Sequence, residues 1–469
     1  MTMPKEDLLI SEMGGRLERL PNSRYLYVLS FIIATGSFFD VYLLTIVGPT
    51  ASSFFASTNS TGLSSLYVTL FFLATFIGAI SLGFLSDYIG RKNAFTIDIA
   101  FILAGSLFAA FSTTGYELLA AVFIAGLGTG AEIPISVLYI EELLPGSIRA
   151  KVITFVNIFV FSAAVLSGAM AYFFLPHVYD GIPGYKFTFI VLIVGSIIVL
   201  FLRLRLPESP RWLERKGKLK RANIAIGQIE KGVMKSNNLS SLPSYKPEEA
   251  INTRKISDLK LYFTRNYLRR TTSGWGMEFF NGFVVYGFSS FVVTLLYLKG
   301  FSIVDSFLYT MIIFIGWPIS VLYSNIISER WQRRYLIGLN YGFAAIAGIS
   351  FLLSSNVYEV VISGFLLTFF TLGPALFMHI YVTEVYPTTM RSKAGSTAYS
   401  MSRLGGFVAP IIAVYLLATA GKRAGDYIIG LAIVGSVIVI LLGFFVAVNT
   451  TKIPLEAIEE EGLFKADAK

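Results

Sequence analysis

Twelve apolar stretches, each close to the length that crosses a bilayer, recur along this chain and limit what it can fold into more than any other feature. Crossing about 30 Å of hydrocarbon takes about 20 apolar residues in a helix. Inside lipid, only helices and closed barrels satisfy every backbone polar group. Read with a window of about 19 residues, the spans fall near 25–50, 64–86, 93–113, 117–142, 152–175 and 185–205, and then near 271–297, 303–327, 335–354, 357–382, 395–419 and 427–448. Charged residues are 14% of the chain, against about 25% in soluble domains. The fold class is therefore an all-α membrane protein of twelve transmembrane helices. The first 22 residues have mixed charge and no apolar core, so the first span is expected to act as its own insertion signal.

Basic residues give the orientation. The N-terminal segment and every second connection after it hold 33 Lys and Arg, while the opposite connections hold four: Lys186, Lys299, Lys422 and Arg423. Arg403 falls inside a span. The positive-inside rule then places both termini and the long central segment in the cytoplasm of a cell carrying the protein in its plasma membrane. With its charges so placed, the net charge of +9 calls for no nucleic-acid partner. Lipids and a small-molecule substrate are the expected partners, and the protein is expected to be a monomer. There is no cysteine and only His177 and His379, which excludes thiolate chemistry and a histidine-rich metal site. Gly126-Leu-Gly128-Thr-Gly130 lies in an apolar span with no strand before it, so it reads as close helix packing and not as a phosphate loop. No P-loop, H-E-x-x-H or G-x-S-x-G occurs; an enzyme is not expected, nor a cofactor, and a proton gradient is the expected driving force.

The chain also repeats itself. Gly83-Phe-Leu85-Ser-Asp87-Tyr-Ile-Gly90-Arg91-Lys92 follows the second span and Asn325-Ile-Ile-Ser-Glu329-Arg-Trp-Gln332-Arg333-Arg334 follows the eighth. Tyr139, Glu142, Pro145 and Arg149 end the fourth span; Tyr381, Glu384, Pro387 and Arg391 end the tenth. Both pairs share one offset: 329 − 87 and 381 − 139 each equal 242. The halves are parallel repeats of six spans. The expected domains are 1–206, a six-helix bundle; 207–270, a cytoplasmic linker loop; 271–448, a second six-helix bundle; and 449–469, a cytoplasmic tail.

With these motifs the sequence resembles the major facilitator superfamily over essentially its whole length. The G-x-L-x-D-x-x-G-R-K element from Gly83 to Lys92 is that superfamily's loop motif, and Pro207-Glu208-Ser209-Pro210-Arg211-Trp212 is similar to an element of sugar porters and organic-ion transporters. Gly130-Ala-Glu132-Ile-Pro134 resembles metabolite–proton symporters, and Ser402-Arg403-Leu-Gly405-Gly406 resembles organic-ion and aromatic-acid transporters. Phe38-Phe39-Asp40 is similar to aromatic-acid symporters, although their second Asp is Leu43 here; Val122 stands where an arginine opens the fourth-span motif, and the seventh span lacks the sugar-binding Gln pair. The resemblance implies two bundles rocking about a central solute site. Proton-coupled symport of a small organic anion is the expected function, the anion because of Arg403, with a sugar or polyol, an organic cation held by Asp40, Glu132 and Glu278, or a non-transporting sensor as the other readings.

Charges inside spans carry these expectations, because each costs roughly 2.5–3.5 kcal/mol on insertion scales. Asp40 and Glu132 are the proton-coupling candidates, as carboxylates that could load and release a proton; for Asp40 a fixed pairing with Arg403 is the other reading. Arg403 is either a bidentate ligand for a substrate carboxylate or the neutraliser of a buried acid. Glu278, Asn281, Tyr286 and Tyr399 are the further substrate-binding candidates; interhelical hydrogen bonding is the other reading of Asn281. His379 reads as a packing residue. Gly83, Asp87, Gly90, Arg91, Lys92, Glu142, Arg149, Glu208, Arg211, Glu329, Arg333, Glu384 and Arg391 are expected to gate the cytoplasmic side by cross-linking helix ends.

Overall fold

The structure is a computed structural model that describes residues 8–57, 61–251, 263–328, 330–386 and 391–450. Twelve helical segments in it are long and apolar enough to cross a membrane. A short strand β1 (Leu8–Ser11) and helix α1 (Glu12–Glu18) come first. The first half follows as α2 (Arg24–Ser57), α3 (Thr61–Ile89), α4 (Arg91–Phe111), α5 (Gly115–Leu143), α6 (Gly146–Phe174) and α7 (Tyr185–Leu204), with a small hairpin of β2 (Val178–Tyr179) and β3 (Ile182–Pro183) before α7. The second half comprises α10 (Arg265–Leu298), α11 (Ile303–Phe314), α12 (Gly316–Ile327), α13 (Arg333–Leu353), α14 (Val357–Glu384), α15 (Arg391–Thr419) and α16 (Ala424–Leu441), the last continuing as a π-turn over Leu442–Val446. These form two six-helix bundles of the major facilitator fold.

The internal repeat is carried in the helices themselves. α4 and α13 are both 21 residues long and start at 91 and 333; α5 and α14 start at 115 and 357; α3 and α11 start at 61 and 303. Each difference is again 242. The glycines expected to serve packing do so: a side chain at Gly126 would overlap Phe71 and Ala74, one at Gly128 the Asp98 carbonyl, and one at Gly130 the Thr75 carbonyl. Without them α5 could not lie directly on α3 and α4.

Two details depart from the sequence reading. The eighth span is broken: α11 stops at Phe314 and α12 begins at Gly316. Pro318 supplies the reason, because it has no N–H to return to the Phe314 carbonyl. The central segment is also more than a loop. It contains α8 (Pro210–Arg215), α9 (Leu219–Asn237) and a strand β4 (Glu248–Ile251), and α10 begins at Arg265, inside the stretch assigned to the linker. Ser209 caps α8 by accepting a hydrogen bond from the Trp212 N–H, with Pro210 at the first helical position. α9 buries Ala222, Ala225, Ile226, Ile229 and Val233, the single stripe of an amphipathic helix lying on a surface.

That surface belongs to the first half, since α9 packs on α2 and α8 on α5. The N-terminal segment closes over it. β1 pairs antiparallel with β4, and Arg16 and Arg19 both bind Glu230, at 2.5 and 2.6 Å. Burial pushes the Glu230 carboxyl up, but hydrogen bonds from the two guanidinium groups outweigh it and hold the group below the usual carboxylate range. Glu18 accepts a hydrogen bond from Arg211 at 3.0 Å and lies 3.5 Å from Arg149.

Candidate functional site

Helix α2 of the first half and helices α10, α14 and α15 of the second bring a set of charged side chains to mid-depth. Asp40 and Arg403 face each other across the boundary between the halves, both fully buried, with Oδ2 of Asp40 3.9 Å from Nη2 of Arg403. Neither oxygen of Asp40 accepts a hydrogen bond. Arg403 instead donates to the Tyr286 hydroxyl at 2.9 Å and to the Tyr399 hydroxyl at 2.5 Å. At 3.9 Å the Coulomb attraction is on the order of 4 kcal/mol for an effective dielectric near 20, which the several kcal/mol of desolvation per ion largely offsets. The pair is thus a poor stabiliser and readily exchanged for another partner.

A cavity of about 40 Å³ lies beside this pair. It holds water but not a solute, so the halves are nearly closed on it. Its walls are unequal. Val41, Leu44, Ile133 and Phe161 line it from the first half; Asn281, Tyr286, His379, Tyr399 and Ser402 line it from the second, with Trp317 at the first turn after the break in the eighth span. Every polar group on the wall therefore comes from the second half. Phe161 and Trp317 meet edge to face across the boundary at 6.0 Å.

The substrate-binding candidates divide accordingly. Asn281, Tyr286 and Tyr399 reach the wall. Asn281 also accepts a hydrogen bond from Tyr341 at 2.7 Å, a bond between α10 and α13. Arg403 stands behind the two tyrosines and donates to their hydroxyls. Glu278 is fully buried, with Oε1 2.9 Å from Nδ1 of His379. His379, expected to be a satisfied packing residue, does find a partner in Glu278, and it also lines the cavity, with 38% of its side chain accessible.

Glu132 does not join the Asp40–Arg403 pair. It lies within the first half and binds Nη2 of Arg203 at 2.6 Å, while Nη1 of Arg203 binds Asp98 at 3.1 Å. Sequence reasoning missed Arg203, whose position at the end of a span made it look like a loop charge; the structure buries it. Its spacing from Arg205 and the unpartnered acids Asp98 and Glu132 in the same half was the available signal.

The residues expected to gate do cross-link helix ends, each pair within one half. Arg91 binds Asp87 at 2.7 Å and Glu142 at 3.1 Å, and Glu142 also binds Arg215. Arg149, expected to work with Glu142, lies instead beside Glu18 and donates to the Leu144 carbonyl. Lys92 donates to the carbonyls of Leu204 and Leu206. Gly90 has φ +103°, and any side chain there would strike Glu208, which accepts from the N–H groups of Arg91 and Lys92 at the start of α4. Burial pushes the Glu208 carboxyl up, and these N–H groups offset part of that shift. In the second half Arg333 binds Glu384 through two bonds of 2.8 and 2.6 Å. Nothing in the structure explains Gly83, which has open space around it. Glu329 and the side chain of Arg391 lie outside the described residues.

Between the halves, away from the termini, Ser52 and Thr294 are 3.2 Å apart, and Gly48 rests on Ser290. Toward the face carrying the termini, Thr154 donates to Asn325 at 2.8 Å. The site is thus held between contacts on both faces.

The sequence model of the family described as "Sugar (and other) transporter" matches residues 26–461. The niacin transporter NiaP of Acinetobacter baylyi is 26% identical over 411 residues, covering 87% of this chain and 90% of that protein. The inner membrane metabolite transport protein YdjE of Escherichia coli is 25% identical over 463 residues, covering 96% and 98%. Among solved structures, a D-xylose-proton symporter superposes with a TM-score of 0.71 at 18% identity, covering 91% of this chain and 99% of that one; the likeness is one of fold.

Proposed function

Because the chain belongs to the family of sugar and other transporters within the major facilitator superfamily, we propose that it is a proton-coupled symporter of a small organic anion, with both termini in the cytoplasm. The observation that carries this is the buried pair of Asp40 and Arg403, one residue from each half. When Asp40 is ionised it holds the field of Arg403. When Asp40 takes a proton, that field is released through Tyr286 and Tyr399 to the cavity, where a carboxylate can replace it. Proton and anion then bind together, and loss of either restores the pair and resets the halves. The aromatic rings of Phe161, Trp317, Tyr286 and Tyr399 favour a flat, monocarboxylate solute, in keeping with a relative named for niacin.

A sugar or polyol is the second reading, favoured by the uncharged hydrogen-bonding wall of Asn281 and Ser402 beside Trp317. Uptake into proteoliposomes tests both, screening monocarboxylates, sugars and amines with and without an inward proton gradient. Gradient-driven accumulation of an acid supports the proposal; accumulation of sugars alone or amines alone overturns it. Solute binding with no flux would identify a sensor.

A further inference from the structure

Three charges in the first half take no part in the scheme above. Asp98 of α4, Glu132 of α5 and Arg203 of α7 are each 0–1% exposed. The two ion pairs use one oxygen of each acid, and Asp98 Oδ2 and Glu132 Oε2 receive no hydrogen bond from any donor. Charge balance asks for a proton. Two ionised acids and one guanidinium leave a net charge of −1 in an apolar bundle, and an uncompensated buried charge is strongly destabilising. One added proton makes the cluster neutral.

Among the described residues, no cation besides Arg203 pairs with either acid. The Phe95 ring lies under the Arg203 guanidinium at 3.4 Å. Of the titratable groups nearby, Asp40 adds negative charge next to Glu132, and Tyr139 approaches Arg203 while donating to the Pro207 carbonyl. From α2, Gly36 presents bare backbone: a side chain there would overlap Nη2 of Arg203 and Oε1 of Glu132. Gly36 is one helical turn from Asp40, and Ser37 bonds Ser136 across the same α2–α5 seam at 2.9 Å. Thr129 lies beside Asp40, one turn before Glu132. In the second half the positions offset by 242 from Asp98 and Glu132 are Asn340 and Pro374. The cluster is therefore not a requirement of the shared scaffold.

We propose that Asp98, Glu132 and Arg203 form a second proton-binding site, its two carboxyls together holding one proton, one turn of α2 from Asp40. The site provides a place in the first half where a proton leaving Asp40 replaces one leaving Glu132. The proton binding stands independently of the symport reading; only its use rests on that reading.

The test is infrared spectroscopy of the purified full chain at neutral pH, following the protonated-carboxyl C=O band and its shift in heavy water. Asp40→Asn is the background, so that Asp40 makes no contribution. The expected result is a band that persists in Asp40→Asn and is removed by adding either Asp98→Asn or Glu132→Gln, because each leaves one acid ionised against Arg203. Both substitutions keep the side-chain shape and resemble the neutral form. Absence of any such band in the Asp40→Asn protein, a result that needs no cluster variant to fold, overturns the proposal. So does a band that survives either added substitution. A band that behaves as expected in a protein whose uptake ignores the proton gradient would refute the symport reading and leave this site standing; loss of accumulation in Asp40→Asn with no protonated-carboxyl band would do the reverse.

Discussion

Asp40 of α2 and Arg403 of α15 lie 3.9 Å apart across the boundary between the halves, and each is fully buried. Separation of the halves along that plane would break such a pair, so the proposed coupling ties its charge state to that separation. Asp40→Asn should abolish gradient-driven accumulation, flatten the pH dependence of uptake and leave counterflow exchange intact. Persistent accumulation would remove Asp40 from the coupling scheme.

Arg403 donates side-chain hydrogen bonds to Tyr286 and Tyr399 of the cavity wall described above. A hydrogen bond to a charged group contributes about 1.5–3 kcal/mol, so Tyr286→Phe and Tyr399→Phe should each raise the half-saturating concentration of an anionic solute by roughly tenfold or more. Concentration-dependent counterflow measures this. An uncharged solute bound through Asn281 and Ser402 would show a smaller change.

Gly36→Ala would place a methyl group where Arg203 and Glu132 already sit. Overpacking of this kind costs about 1–3 kcal/mol. The expected outcome is a lowered thermal unfolding midpoint in detergent, with Gly227→Ala, mid-helix in α9 with open space around it, as the control that leaves it equal or slightly raised.

The two loop-motif ion pairs should differ in their effect on stability. Arg91 is 2% exposed and neutralises the buried Glu142, whereas Arg333 and Glu384 are 12% and 21% exposed. Removing one partner of a buried pair costs about 3–5 kcal/mol, an upper bound here because Arg215 also binds Glu142; the half-buried Arg333–Glu384 pair lies nearer water and leaves a less costly charge when broken. Arg91→Met should lower the unfolding midpoint well beyond Arg333→Met, and equal shifts would contradict the burial argument.

The docked N-terminal segment should release in acid. Glu230 is held below the usual carboxylate range by Arg16 and Arg19. A depressed folded value means that its stabilisation is present above the unfolded value, near pH 4.3 for a free Glu, and is lost as pH falls through the folded one. Because the chain has no cysteine, a fluorophore pair on cysteines introduced at Asn22 and Lys220 can report the separation. Energy transfer should fall only below about pH 4, and Glu230→Gln should remove that step.

The helices were legible because lipid imposes one rule on every span, and the repeat was legible because Asp87 and Glu329, like Tyr139 and Tyr381, share one offset. Asp40 and Arg403 were legible as rare charges in apolar runs. Arg203 was not, because a basic residue near a span end looks the same whether it reaches into water or back into the bundle. The partner of His379 was not legible, because a single polar residue on an apolar helix gives no sign of which neighbour it faces; only the packing of α14 against α10 brings it to Glu278. The packed linker helices escaped because α9 has a mostly polar surface, and its apolar stripe matters only once α2 lies beneath it.

The inequality of the cavity walls has a consequence for how such a protein can diversify. The two repeats line the cavity differently: the trailing copy supplies its hydrogen-bonding side chains, and the leading copy offers a greasy surface backed by ionisable groups. A chimera joining this leading copy to the trailing copy of a relative should therefore inherit the relative's cargo preference, and new preferences can evolve in one copy without disturbing the other.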